Sequence, residues 1–115
     1  MDIKERVLGS DHPDTATSYN NIGAVYDGLG EYAKALEFHM KDLAICKRVL
    51  GPDHPSTATS YNNIGAVYKS QGNYVKALEY FEKALDIWER KLGPDHPNTK
   101  MARENMEICR KLMHG

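Results

Sequence analysis

The chain has few cysteines, no long apolar run and no excess of either charge. Only Cys46 and Cys109 are cysteine among its 115 residues, and neither lies in a CxxC or other metal-ligand spacing. We therefore expect two buried or half-buried free thiols and no disulfide. No segment approaches the roughly 20 apolar residues of a membrane-spanning helix, and the first residues do not resemble a signal peptide. These absences predict a cytoplasmic protein that does not bind a membrane.

Charge and motif content exclude further classes of function. Fifteen basic and sixteen acidic side chains give a formal net charge of −1. A nearly neutral chain has no global positive field to attract nucleic acid, so nucleic acid is not expected as a partner. The GxSxG, HExxH, P-loop and dinucleotide-binding glycine patterns are all absent. The sequence therefore predicts a protein that is not an enzyme, with no catalytic residue, no metal site and no cofactor.

What the chain contains in abundance is internal repetition. The phrase LGSDHP at 8–13 recurs as LGPDHP at 50–55 and 92–97, which is a period of 42 residues. Residues 8–49 and 50–91 are identical at 27 of 42 aligned positions, and TATSYNNIGAVY occurs unchanged in both. A fixed period of this length is typical of stacked helical units. Such stacks usually bind extended partners, and catalysis becomes the less favoured function.

Each full copy contains two helical patterns, which we call helix A and helix B. In the second copy, helix A shows apolar or aromatic residues at steps of three and four, at Ala58, Tyr61, Ile64 and Tyr68. After Gly72, helix B continues the same spacing as a longer amphipathic run to Leu92. Each DHP phrase offers the N-cap of the next helix A, and either its Asp or its His can fill that role.

The copies divide one domain into four segments. Residues 1–7 are predicted to be the remnant of a preceding helix B, and 8–49 and 50–91 to be full repeats. Residues 92–115 are predicted to be a half repeat or a C-terminal capping helix. In this last helix A, Arg103, Glu107 and Arg110 replace the tyrosines and glycine of the other copies, which suits the polar outer face of a cap. An ordinary helix A cut from a longer array is the alternative.

A family pattern runs through the second copy: an aromatic residue, Ile-Gly, Tyr, and then Ala, Phe and Ala on helix B. These residues are Tyr61, Ile64, Gly65, Tyr68, Ala77, Phe81 and Ala84. Together with the 42-residue period, the pattern resembles the tetratricopeptide repeat of the kinesin light chain type. The resemblance implies an all-α superhelix, or solenoid, of antiparallel helix pairs. It also implies that helices A line a concave groove in which peptides bind.

The first copy departs from this pattern on helix B. His39, Asp42 and Cys46 stand where the second copy has Phe81, Ala84 and Trp88. These changes remove apolar volume and predict a looser layer. We expect His39 to be partly exposed with the edge of its ring packed, and a site built around His39 is the alternative.

Asparagines mark the predicted groove. An asparagine side chain offers a carbonyl acceptor and an amide donor, so it can pair with a peptide backbone of any sequence. Positive charge near the last helix, from Lys100, Arg103 and Arg110 among others, favours a partner with an acidic stretch. The alternative for the asparagines is hydrogen bonding between adjacent helices. The predicted peptide-binding residues are Asn20, Asn21, Asp27, Asn62, Asn63, Lys69, Asn105 and Lys111.

Three histidines one repeat apart, His12, His54 and His96, suggest a metal site at first sight. Successive helical layers lie about 10 Å apart, which is too far for one ion to bind all three. We expect these histidines to be helix-start residues.

The leading function is a non-catalytic interaction scaffold that binds an extended peptide or partner segment in the groove. The alternative is a self-associating structural module, a dimer or a helix-exchanged pair. In that alternative the open N-terminal face, with Tyr19, Ile22 and Tyr26, pairs with another copy.

Overall fold

The computed structural model describes residues 13–114, and these form five α-helices without a strand. The helices are α1 (Pro13–Gly28), α2 (Tyr32–Val49), α3 (Pro55–Gln71), α4 (Tyr74–Leu92) and α5 (Pro97–His114). Each helix packs against the next in the chain. Helices α1, α3 and α5 are the predicted helices A, and α2 and α4 are the predicted helices B. The predicted remnant at 1–7 and the residues Asp11 and His12 lie outside the described residues.

Histidine side chains begin the later helices A. Nδ1 of His54 accepts a hydrogen bond from the backbone N–H of Ser56 at 3.0 Å, and Nδ1 of His96 accepts one from Asn98 at 3.1 Å. These bonds satisfy first-turn N–H groups that have no partner within the helix. The prediction that His54 and His96 are helix-start residues is confirmed, and histidine is the capping residue. No group of His, Cys, Asp and Glu within 13–114 could hold a metal ion.

A mid-helix glycine in each helix A lets an aromatic ring of helix B approach closely. A Cβ on Gly65 would lie 2.9 Å from two ring atoms of Phe81, and one on Gly23 would lie 2.9 Å from the ring of His39. Glycine therefore removes a clash that any larger residue would create, which offsets its low helix propensity. The groups nearest to a Cβ at these two positions are the rings, and at Gly65 the carbonyl oxygen of Ala77 is also close.

The layer around α4 is filled by large apolar side chains. Phe81 and Trp88 are 0% and 1% exposed. The indole N–H of Trp88 donates to the carbonyl of Pro55 at 3.1 Å, which satisfies its polar atom in the core. Both cysteines are buried and free, as predicted.

The N-terminal face differs from its prediction. Tyr19 and Tyr26 are half-buried against Phe38 of α2 and do not form the open face. Their separation of seven residues, about two helical turns, places both on the side of α1 that meets its own helix B. The exposed large apolar residues at this end are Ile22, as predicted, and Val25 of α1, together with Leu29 directly after the helix, at 39%, 61% and 69%.

One exposed side of α5 is charged. Arg103, Glu107 and Arg110 are all exposed, and Arg103 pairs with Glu89 of α4 at 2.7 Å. Arg103 also donates to the Pro94 carbonyl at 3.0 Å. A charged side of this kind suits the end of a stack. The same helix also exposes four large apolar side chains, at 39–50%: Met101, Ile108, Leu112 and Met113. No helix within the described part of the chain is long and apolar enough to span a membrane.

The glycine contact gives a first prediction. Gly65→Ala forces its new Cβ against the Phe81 ring and should lower the free energy of unfolding by about 1–3 kcal/mol. Gly28→Ala is the matched control, because a Cβ at Gly28 meets nothing within 4 Å. We expect the control to raise stability by about 0.5 kcal/mol. Urea denaturation of both variants makes the comparison, and equal effects of the two substitutions would contradict the close packing.

Candidate functional site

Asparagines join neighbouring helices A along one surface of the stack. The side-chain amide of Asn63 in α3 donates to Oδ1 of Asn20 in α1 at 2.6 Å. One repeat further, Asn105 in α5 donates to Oδ1 of Asn62 at 3.5 Å, which is a longer and weaker contact. In both pairs the partners are 43 residues apart, which is one period plus one residue. We call the surface that carries these four residues the asparagine face.

Each asparagine pair retains hydrogen-bonding capacity. The bond from Asn63 uses one of its two amide hydrogens, and the bond to Asn20 uses one lone pair of Oδ1. Asn20, Asn63 and Asn105 are half-buried, whereas Asn62 is only 8% exposed. The bond between Asn63 and Asn20 also fixes the orientation of both amides. The asparagines therefore bond between helices, as the alternative prediction held, and three of them still reach the surface.

The other predicted site residues differ in their exposure to solvent. Asn21 and Lys111 are exposed, and Asp27 and Lys69 are half-buried. One carboxylate oxygen of Asp27 is buried without a hydrogen-bond partner in the structure. Arg103, which was expected to add positive charge to the groove, is bound to Glu89 on the helix B side. The structure thus brings together Asn20 with Asn63 and Asn62 with Asn105.

Aromatic stacks support each helix pair from the side of helix B. Phe38 lies between Tyr19 and Tyr26, with ring centroids 5.9 and 5.7 Å away. Tyr80 holds the equivalent place between Tyr61 and Tyr68, at 6.1 and 5.6 Å. A lysine amine lies over rings in both copies, Lys41 in the first and Lys83 in the second. Phe38 and Tyr80 were not among the residues predicted from the sequence. Their shared aromatic character at equivalent positions was the available signal.

A buried polar cluster occupies the first helix pair where the second has an apolar core. Ser60 donates its hydroxyl to Oδ2 of Asp42 at 2.7 Å, and the Cys46 thiol donates to Oδ1 at 3.5 Å. His39 and Asp42 are 3% and 5% exposed. The expectation of a partly exposed His39 is therefore wrong, because its ring packs against Gly23. Ser60 was not predicted to belong to a site. The available signal was that the equivalent residue one repeat later is Ala102, which has no hydroxyl.

Burial governs the titration of this cluster. Burial raises the pKa of the Asp42 carboxyl, and the hydrogen bonds from Ser60 and Cys46 oppose that change in part. Burial lowers the pKa of His39, against the opposing charges of Asp42 and Asp27. Nδ1 of His39 has no hydrogen-bond partner in the structure. The first helix pair therefore carries polar groups whose charged forms are unfavourable in the folded state.

Comparison with known proteins decides the family. The tetratricopeptide repeat family matches residues 1–41, 29–84 and 56–115, which together cover the whole chain. The chain belongs to the tetratricopeptide repeat family. Members of this family are generally non-catalytic modules for protein interaction.

Solved structures agree on the fold. A Podosopora anserina structure described as kinesin light chain nearly identical TPR-like repeats superposes with a TM-score of 0.79 and 23% identity, over 97% of this chain and 53% of that one. BtubC (BKLC) from P. vanneervenii gives a TM-score of 0.77 and 24% identity, over 86% of this chain and 39% of that one. The predicted all-α tetratricopeptide solenoid of the kinesin light chain type is confirmed as a fold.

One curated relative matches over a short segment. The clustered mitochondria protein of Arabidopsis thaliana is 54% identical over 35 residues, which is 30% of this chain and 2% of that protein. The chain spans well under two thirds of each of these relatives. The partners of these longer relatives therefore do not identify the partner of this chain.

The buried histidine of the first tetratricopeptide repeat gives a second prediction. His39→Phe installs the residue of the second repeat and removes a buried nitrogen without a partner, so stability should rise by about 1 kcal/mol. Because the folded-state pKa of His39 is lowered, its contribution to stability is present above about pH 6.5 and is lost as the pH falls.

The gain from His39→Phe should therefore be larger near pH 5 than near pH 8, as measured by urea denaturation against the parent at each pH. A variant less stable than the parent at both pH values would show that His39 makes a favourable interaction, contrary to this account.

Proposed function

We propose that the chain is a non-catalytic cytoplasmic module that binds an extended peptide segment of another protein across the asparagine face. The observation that carries the proposal is the pair of inter-helix amide bonds, Asn63 to Asn20 and Asn105 to Asn62. They place orientated amides at intervals of one repeat along a single surface.

The spacing of this surface suits an extended backbone. Packed helices lie about 8–10 Å apart, and an extended chain advances about 3.3 Å per residue. A peptide running across α1, α3 and α5 would thus meet a new asparagine about every third residue. Amides already held by their neighbours lose little conformational entropy on binding, which favours affinity.

Charge gives the peptide a preferred direction. Lys100 and Lys111 are exposed on α5, and Lys69 is half-buried on α3. Asp27 occupies the equivalent position on α1. An acidic stretch of the partner is therefore favoured near α5, and its contribution should weaken as salt concentration rises.

Peptides selected from a random display library test the function. We expect them to bind the chain with a preference for Asp and Glu at one end, and Asn63→Ala should weaken their binding about fivefold through the loss of one amide. The same change removes the bond to Asn20 and should lower stability by about 1 kcal/mol. Calorimetric titration and urea denaturation give the two values.

Glu82→Ala, an exposed change on α4, is the matched control and should alter neither value. If Asn63→Ala lowered stability while leaving peptide affinity intact, the asparagines would have an inter-helix role only. Failure of the library to yield any binding peptide would contradict the proposed function itself.

Self-association is the second candidate, and one observation favours it. Val25 is 61% exposed, whereas its equivalent Val67 in the next repeat is 1% exposed. An apolar face of this kind can pair with a second copy. Light scattering over a concentration series tests this candidate, with Val25→Asp as the disrupting variant. A monomer at every concentration would exclude it.

A further inference from the structure

A cavity of about 230 Å³ lies between α1, α2 and α3. Its wall includes Asp42, Cys46 and Ser60 from the buried polar cluster, together with Asn20 of the asparagine face. One repeat further along the chain, the equivalent positions are Ala84, Trp88, Ala102 and Asn62. There the Trp88 side chain is buried in an apolar cluster with Ala84 and Ala102. The cavity therefore lies at Cys46, where the second repeat has the buried side chain of Trp88.

The cavity has one apolar side and one charged group. Ala16, Ile45, Val49 and Leu50 contribute aliphatic wall. Asp42 contributes a carboxylate that is 5% exposed, and within residues 13–114 its two oxygens accept hydrogen bonds from the neutral groups of Ser60 and Cys46. Among the described residues that line the cavity there is no lysine or arginine. His39 interacts electrostatically with Asp42, but burial lowers the pKa of His39 and disfavours its cationic form. A buried carboxylate without a permanent cation is unfavourable, and a cation that reaches it supplies the missing charge.

We propose that this cavity receives a lysine or arginine side chain of a protein partner, with Asp42 as the counter-ion of its cationic group. The aliphatic stem of such a side chain would pack on Ile45 and Val49, as long basic side chains pack on apolar surface elsewhere. Burial raises the pKa of Asp42. A bound cation would oppose this change, because it favours the ionised carboxylate.

The location of the cavity links it to the proposed function, on which the identity of its natural ligand rests. Asn20 borders the cavity and also accepts the amide of Asn63. A peptide on the asparagine face would therefore pass the cavity where it crosses from α1 to α3. Combined with the lysines of α5, this predicts a partner that is basic at one end and acidic at the other.

Blocked amino acids test the cavity independently of any peptide. N-acetyl-lysine methylamide and N-acetyl-arginine methylamide are titrated into the labelled chain, and amide resonances are followed by NMR. N-acetyl-norleucine methylamide has the same stem without a charge, and N-acetyl-tryptophan methylamide represents the residue of the second repeat. We expect saturable shifts around Asn20, Asp42 and Ser60 with at least one of the two basic probes, and binding of norleucine at least tenfold weaker.

Two variants complete the test. Asp42→Asn removes the charge with little change of shape and should weaken binding of the basic probe about tenfold. The triple variant Asp42→Ala, Cys46→Trp, Ser60→Ala copies the filled core of the second repeat and should abolish the shifts. Glu82→Gln, on the exposed surface of α4, is the control and should leave binding unchanged.

Several results would overturn the inference: equal binding by the parent and Asp42→Asn, equal binding of lysine and norleucine, tighter binding of tryptophan, or shifts confined to α4. Each probe is a single blocked residue, which is too short to span the asparagine face. A failure of the cavity inference can therefore be distinguished from a failure of the proposed function. Loss of probe binding while library peptides still bind would remove the cavity inference alone. Probe binding without any library peptide would remove the proposed function while leaving the cavity.

Discussion

The contact between a glycine of helix A and a ring of helix B determines how closely each helix pair can pack. Gly65 meets Phe81, and Gly23 meets His39, at distances that leave no room for a side chain. Because the same contact recurs in both pairs, the stacked aromatic rings beside it also recur. The regular packing of the pairs in turn brings Asn63 within 2.6 Å of Asn20. The asparagine face is thus a consequence of close helix packing.

The two helix pairs use the same backbone for different interiors. Around α4 the core is closed by Phe81 and Trp88, and the indole N–H is satisfied by Pro55. Around α2 the equivalent places hold His39 and Cys46, next to the Asp42 carboxylate. The loss of volume at Cys46 produces a cavity, and Asp42 gives it a charge. In the proposal above, this repeat, which is poorer in apolar packing, uses the cavity to select a ligand side chain.

Much of the fold could be predicted from the sequence because two nearly identical copies distinguish core from surface. The period predicted the positions of the helices. Gly72 marked the end of a helix A, and the DHP phrases marked where each helix A begins. The choice between Asp and His as the cap could not be made, because both side chains can accept the same N–H bond. The burial of His39 was also missed, since histidine is a polar residue and only the Gly23 contact shows its ring inside the helix pair.

The site was less predictable than the fold. Its asparagines were recognised by repetition, but the one-residue offset that pairs Asn20 with Asn63 depends on how the helices are rotated about their axes. The cavity could not be predicted, because the sequence does not show whether neighbouring side chains fill the space beside the smaller Cys46. Comparison of the two copies reveals the smaller residue, whereas only the packed structure shows that no side chain of residues 13–114 fills its place.

The central claim is that a partner peptide binds across the asparagine face, and the side-chain amides of the asparagines report on this most directly. NMR titration with a library-selected peptide would follow these amide resonances together with the indole N–H of Trp88, which bonds internally to Pro55. The account predicts that the amides of Asn20, Asn63 and Asn105 shift on binding while the indole resonance does not. Shifts restricted to the exposed surface of α4, with unchanged asparagine amides, would contradict it.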